Sequence, residues 1–283
     1  MALTINTNIS SMVAQRNLAK ATGSLNEAIE RMTTGYKINH AGDNAAGYSI
    51  ARNWETQLGS LDVAADNAAM GADMLQTLED HYSLISNHVQ RVRDLTEQAA
   101  NGTYGADSLA AIKSEITARL DEIDRIAANC EYNGKHLMNG TTSALKLQVG
   151  LYSSTDSQIS LDGTLFADAR VSALMSSIGA DKAAVATACS GANASAQLDK
   201  LDNVLKTIST RATTLGAAQN RVDSAIESIA VQSENITSSL STLRDADVAE
   251  ESSRYIQSQI LQQAAATLLS TANQTPSIAL NLI

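Results

Sequence analysis

Apolar residues recur every three or four positions over most of this chain, the period of an α-helix that presents one face to a partner. One stripe runs Leu18, Ala21, Leu25, Ala28, Met32, and a later one runs Val222, Ile226, Ile229, Ser233, Ile236, Leu240, Leu243. The spacing predicts a first helix over about 5–32, stopped by Gly35, whose backbone accepts the left-handed conformation common at helix ends. Residues 33–47 lose the period and read as an irregular connector. A second helix from near Ser49 to Ala100 carries Trp54, Leu58, Leu61, Ala65, Ala68, Ala72, Leu75, Leu78, Tyr82, Ile85, Val89 and Val92. Such a helix would be roughly 75 Å long. Its period slips where Ala72, Leu75 and Leu78 are separated by two adjoining steps of 3.

The turn at 101–107 lets Asp107 cap a third helix through Leu109, Ile112, Ile116, Leu120, Ile123 and Ala127, ending near Asn133 and Gly134. Alternation at Leu145, Leu147, Val149, Leu151 and again at Ile159 and Leu161 predicts a β-hairpin near 144–162. Residues 163–195 read as a short helix plus loop. A fourth long helix is expected from about Ala196 to Leu243. Asp247, with Glu250 three residues on, then opens a final helix that runs to about Asn273 and stops before Pro276.

The stripes at both ends are narrow and include Ala and Ser, so lone helices of this kind are marginal in water and call for partner helices. Only 3% of residues are aromatic, with Trp54 and Phe166 the single Trp and Phe, which suits thin close-packed helices better than a thick layered core. The expectation is a mainly α protein: an elongated bundle of long coiled-coil-like helices with a small hairpin, its N- and C-terminal segments paired.

A net charge of −10 and the absence of basic runs disfavour nucleic acid as a partner. The longest apolar stretches fall short of the roughly 20 residues that span a bilayer, so no membrane span is expected. MALTINTNISSM lacks the basic and apolar blocks of a Sec-type signal peptide. Cys130 and Cys189 are far apart and are read as unpaired thiols. His81 and His88, seven residues apart on one helix, are separated by about 10 Å along its axis, too far for one metal ion held by the pair. HExxH, GxSxG and P-loop motifs are all absent, and the acids Asp245, Asp247, Glu250 and Glu251 complement a helix dipole. No catalytic residue, cofactor or metal is expected.

Five blocks in order resemble the bacterial flagellins: INTNISSMVAQRNL, SLNEAIERMTTGYKINHAGDNAAGYSIA, QRVRDLTEQAANGTY, EITARLDEIDRIAANCEYNGKHLM and QILQQAAATLLSTANQTPSIALNL. The chain departs from the usual pattern at Gly42, where a charged residue is commoner. The resemblance implies an inner domain of paired terminal helices, 1–42 with 247–283, and an outer helical domain over 43–246 bearing the hairpin. No additional outer domain is implied, because the segment between Asn139 and Gly179 is too short for one.

By this resemblance the chain polymerises into the extracellular flagellar filament that serves motility, its termini ordering only on assembly. It leaves the cell by the flagellar type III route without a cleaved signal peptide. The residues expected to meet neighbouring subunits are Leu18, Leu25, Met32, Ile256, Ile260, Leu261, Leu268 and Leu269. The implied partners are further copies of the chain, hook-associated and cap proteins, an export chaperone on the C-terminal helix, and the type III apparatus. Gln90, Arg91, Leu95 and Glu115 match the surface seen by the host flagellin-sensing Toll-like receptor; the plainer reading is that Arg91, Arg93 and Glu115 are ordinary solvated or salt-bridged helix residues that also contact the next subunit. Two alternatives stand beside the filament subunit. One is the junction protein between hook and filament, against which QRVRDL and the ANQTP ending argue. The other is an effector, adhesin or enzyme on the same frame, which would need a central insert.

Overall fold

The computed structural model describes residues 7–176, 182–187 and 191–280. The elements in chain order are α1 (Ile9–Thr34), α2 (Ala45–Ala100), α3 (Ala106–Asn129), β1 (Glu131–Tyr132), β2 (Lys135–His136), β3 (Leu145–Gln148), β4 (Gln158–Leu161), α4 (Val171–Ser176), α5 (Lys182–Thr187), α6 (Gly191–Arg244) and α7 (Val248–Leu280). Packing divides the chain into two units, Met1–Leu58 with Glu234–Ile283, and Gly59–Ser233. These limits fall inside α2 and α6, away from the helix breaks at 35–44 and 245–247.

The second unit holds a conventional core. On α2 the buried positions Leu61, Ala64, Ala68, Gly71, Leu75, Leu78, Tyr82, Ile85, Val89, Val92, Thr96 and Ala99 alternate steps of 3 and 4 without interruption. The expected slip near Ala72 is therefore absent: Gly71 occupies the seam position, and a residue without a side chain gives no apolar signal in a sequence. What it gives is space, because a Cβ on Gly71 would stand 2.5 Å from Cδ1 of Leu147. Val89 and Val92 of α2 meet Leu120 and Ile123 of α3, Leu174 of α4, and Leu201 and Val204 of α6 around one small apolar gap.

The hairpin pairs β3 with β4 antiparallel, with Leu145 opposite Leu161 and Leu147 opposite Ile159. One face thus carries all four large side chains, as the alternation predicts. Asn67 Nδ2 donates to the carbonyl of Gln148 at 3.3 Å, which ties the hairpin to α2. A second strand pair, β1 with β2, was not expected. Asn133 (φ 48°) and Gly134 (φ 78°) form the two-residue turn between them, a turn that requires positive φ at both positions. The third helix accordingly ends at Asn129 and not at that turn. At its other end Gly105 takes the cap position without a side-chain bond, and Asp107 sits in the first turn, where its charge favours the dipole.

Several buried polar groups find partners across this unit, whereas Gln197 Oε1 is buried without one among the described residues. Tyr82 is 1% exposed and its hydroxyl donates to the carbonyl of Leu165 at 3.1 Å; burial pushes its pKa up. Arg211 donates to the carbonyls of Ala167 and Asp168 at 3.2 and 3.1 Å. Asp124 accepts from the Val171 amide and from Lys182, fastening α4 and α5 to α3. Cys130 is a buried free thiol whose pKa desolvation pushes up to about 11, so it stays protonated at neutral pH. Cys189 lies outside the described residues.

Gly71→Val is expected to destabilise the Gly59–Ser233 unit by about 1–3 kcal/mol through overpacking against Leu147. Chemical denaturation monitored by far-UV circular dichroism measures this, and an unchanged midpoint would contradict the close approach.

Candidate assembly surface

α1 and α7 pair along their length, with Cα atoms of the two helices within 8 Å of each other. The positions buried between them are small or polar. On α1 they are Ala14, Ala21 and Ala28, and on α7 they are Glu251, Ser258 and Ala265, both sets spaced by seven. Leu18, Leu25, Tyr255, Gln262 and Leu269 are half-buried on the same seam. A repeat of seven on both helices is the coiled-coil arrangement.

Polar contacts set the direction and register. Arg31 Nη1 meets Glu251 Oε1 at 3.3 Å, Gln262 Nε2 donates to Thr22 Oγ1 at 3.1 Å, and Ser11 Oγ donates to Asn273 Oδ1 at 2.7 Å. Partners climb one helix as they descend the other, so the pair is antiparallel. In that register small stands level with large: Ala14 with Leu269, Leu18 with Ala265, Leu25 with Ser258, Ala28 with Tyr255. Glu251, 4% exposed, also accepts from Arg254 at 3.2 Å, and Arg31 Nε is a buried donor without a partner among the described residues.

The helix termini are chemically specified. Asn8 caps α1 by accepting from the Ser11 amide at 3.0 Å, and Asp247 caps α7 by accepting from the Ala249 amide at 2.8 Å. Gly35 closes α1 in the left-handed conformation, its N–H on the Arg31 carbonyl at 2.9 Å. Contrary to expectation, α7 continues through Pro276 to Leu280. Proline cannot donate to the carbonyl four residues earlier, that of Ala272. Asn8 Nδ2 takes over, donating to the Ala272 oxygen at 2.7 Å, so α1 supplies the bond that proline removes.

Because the seam consumes the small residues, the large ones face outward. Ile256, Ile260, Leu261 and Leu268 are 52–64% exposed, and Met32 is 38% exposed. Leu18, Leu25 and Leu269, expected beside them, belong instead partly to the seam of the pair itself. Sequence reasoning missed Ile9, Met12, Val13, Ile29 and Val248, all exposed. The signal of Ile9, Met12 and Val13 was present as an apolar patch on the first turns of α1, offset from the alanines. An open groove of about 620 Å³ runs between the two helices, lined by Asn17, Lys20, Glu27, Gln257, Leu261 and Leu268 among others.

The receptor-matching residues lie in the other unit. Gln90 and Arg91 are exposed on α2, and Arg91 Nε reaches Glu115 Oε1 of α3 at 3.1 Å. Leu95 is 2% exposed and belongs to the core. The neighbouring Arg93 binds Asp202 of α6 at 2.5 Å, which lowers the Asp202 pKa through that hydrogen bond and raises that of Arg93. Among the described residues no group of three or more His, Cys, Asp or Glu side chains gathers to hold a metal, and no helix is long and apolar enough to cross a membrane. His81 is engaged by the Thr77 carbonyl at 2.7 Å.

A surface of this kind, with paired terminal helices turning their aliphatic side chains outward, defines a structural protein completed by neighbours. The comparisons agree. A family model described as the bacterial flagellin N-terminal helical region matches residues 5–143, and one for the C-terminal helical region matches residues 198–283. A flagellin of Halalkalibacterium halodurans is 33% identical over 279 residues, 99% of either chain, and one of Xenorhabdus nematophila is 35% identical over 315 aligned positions, all of both chains. A solved structure of a putative flagellar hook-associated protein from Vibrio parahaemolyticus shares the fold, with TM-score 0.59 and 15% identity over 72% of this chain and 100% of that one. The chain belongs to the bacterial flagellin family. Flagellins are structural proteins that self-polymerise into the flagellar filament, and this chain is a structural filament subunit.

Glu251→Ala, which removes the cross-helix partner of Arg31 and leaves it only Glu27 of its own helix at 2.5 Å, is expected to raise the free subunit concentration in equilibrium with filaments about tenfold, equivalent to about 1.4 kcal/mol. Sedimentation of filaments grown to equilibrium reads this, and an unaltered concentration would deny the pair its role in register.

Proposed function

We propose that copies of this chain polymerise by burying the outward faces of α1 and α7 against one another, forming the extracellular filament used in motility. The observation that carries this reading is the pairing of the ends through alanine and serine while Ile256, Ile260, Leu261 and Leu268 remain exposed. Each large aliphatic contributes roughly 1.5–3 kcal/mol when fully buried, an energy available only from further copies. Head-to-tail contacts that do not close on themselves give helical filaments. In the free subunit the terminal helices are marginal, so their ordering accompanies assembly. Such ends suit a narrow export channel, and the reading includes type III export and a chaperone on α7. Hook-associated and cap proteins bound the polymer at its two ends.

A hook–filament junction protein shares this architecture, and the similarity to the hook-associated structure is one of fold. Full-length similarity to flagellins favours the filament subunit. Exposed Gln90 and Arg91, with Glu115 paired to Arg91, supply the polar patch through which the host Toll-like receptor recognises the free subunit; buried Leu95 supports that patch from beneath.

Removal of residues 1–32 or 248–283 is expected to abolish elongation on preformed seeds, observed by electron microscopy, and normal growth of either truncation would refute the assembly reading. Arg91→Ala is expected to weaken receptor binding by tenfold or more in surface plasmon resonance, whereas unchanged affinity would remove the receptor from the partners.

A further inference from the structure

Two breaks interrupt the helices of the terminal unit: residues 35–44 between α1 and α2, and residues 245–247 between α6 and α7. They are joined across the chain. Tyr36 and Asp245 form an isolated antiparallel bridge, in which the Lys37 amide donates to the Arg244 carbonyl at 2.7 Å and the Ala246 amide to the Gly35 carbonyl at 2.8 Å. Lys37 Nζ donates to the Thr242 carbonyl at 2.8 Å, serving one of the unpaired acceptors at the end of α6. The connector is braced internally by Asp43, whose carboxylate accepts from the His40 and Asn39 amides at 2.9 Å each; those two bonds hold its pKa below the usual 3.8.

One side chain engages this whole arrangement. Arg244, the last residue of α6, places Nη1 on Glu55 Oε1 of α2, directs Nε to the Ile38 carbonyl at 3.4 Å, and lays its guanidinium over the Tyr36 ring at 4.1 Å. Its side chain is 15% exposed. Tyr36 and Ile38 lie within the first break and Glu55 follows it, while Arg244 itself precedes the second. The planar fork and the stacking face act at once, which a lysine ammonium cannot reproduce.

We propose that Arg244 is a positioning residue for assembly: it clasps the two helix breaks into one joint, so that the α1/α7 pair reaches neighbouring subunits in a preset orientation on the first turns of α2. Neither break can bend alone while the clasp is closed, because the bridge and the guanidinium contacts tie each to the other. Opening it leaves the seam of α1 with α7 intact and frees the joint. The charge of Arg244 also favours the C-terminal dipole of α6, but that service needs only a cation.

The test compares Arg244→Ala, Arg244→Lys and Glu55→Gln, added to wild-type seeds, with hydrogen exchange and electron microscopy as readouts. The expected result is at least tenfold faster exchange of the Lys37 and Ala246 amides in both Arg244 variants, with unchanged exchange at Ile85 and Val92 in the other unit. Filament pitch and curvature spread over several forms in these variants, and Glu55→Gln falls between them and wild type. Wild-type exchange and a single wild-type waveform in Arg244→Lys would overturn the proposal, since charge alone would then suffice. If Arg244→Ala does not elongate, it is mixed at one part in ten into wild type; an unaltered waveform of the mixed filaments overturns the proposal, and a changed one upholds it. The filament readouts rest on the assembly reading, whereas exchange at Lys37 and Ala246 is measured on the free subunit as well. Wild-type protein that fails to elongate therefore refutes the assembly reading, while the exchange comparison still decides the clasp.

Discussion

A helix has one circumference, and whatever it gives to one neighbour it withholds from the next. In the terminal pair of this flagellin the seam between α1 and α7 is made from alanine, serine and a paired glutamate, with leucines standing only half in it. Small side chains bring the helices close, and the close approach occupies little of each surface. The isoleucines, leucines and methionines that would stabilise an ordinary core are left on the outside, where other copies of the chain can bury them. In the proposed mode of assembly, association draws on apolar burial that folding of the single subunit has not used.

The Gly59–Ser233 unit makes the opposite choice. Its α2 seam of Leu, Ile, Val and Tyr is sealed by α3, α4 and α6, and the hairpin packs onto the helix where Gly71 leaves room for Leu147. Several polar groups inside it are answered by specific partners, Tyr82 by the Leu165 carbonyl and Asp124 by the Val171 amide and Lys182. This unit is complete as a folded body. A family whose members work as repeated subunits needs both kinds of packing in one chain.

Register in the terminal pair rests on a few directional contacts, because alanine seams tolerate sliding. Glu251 with Arg31 at one end and Asn8 with Ala272 at the other pin it. The second contact also resolves the continuation of α7 through Pro276, which local rules read as a stop. A proline breaks a helix by leaving a carbonyl unanswered; here the answer comes from a residue more than 250 positions away in the chain.

The helical period placed most of the long helices within a few residues of their ends and named most of the buried positions on α2 and α3, alternation located the hairpin, and five ordered blocks carried the resemblance to the family. Such patterns failed where a signal was silent or local: Gly71 has no side chain to mark a seam, and the Asn133–Gly134 turn was read as the end of a helix. Of the assembly residues, Ile256, Ile260, Leu261 and Leu268 were legible as apolar positions, yet nothing in the period says which of two apolar stripes a helix spends on its own partner. That division belongs to the tertiary structure, as do the pairing of Asn8 with Ala272, of Arg91 with Glu115 and of Arg244 with Glu55. Periodicity records what each residue prefers along its own helix, whereas partners distant in sequence meet only once two helices have settled on a common register.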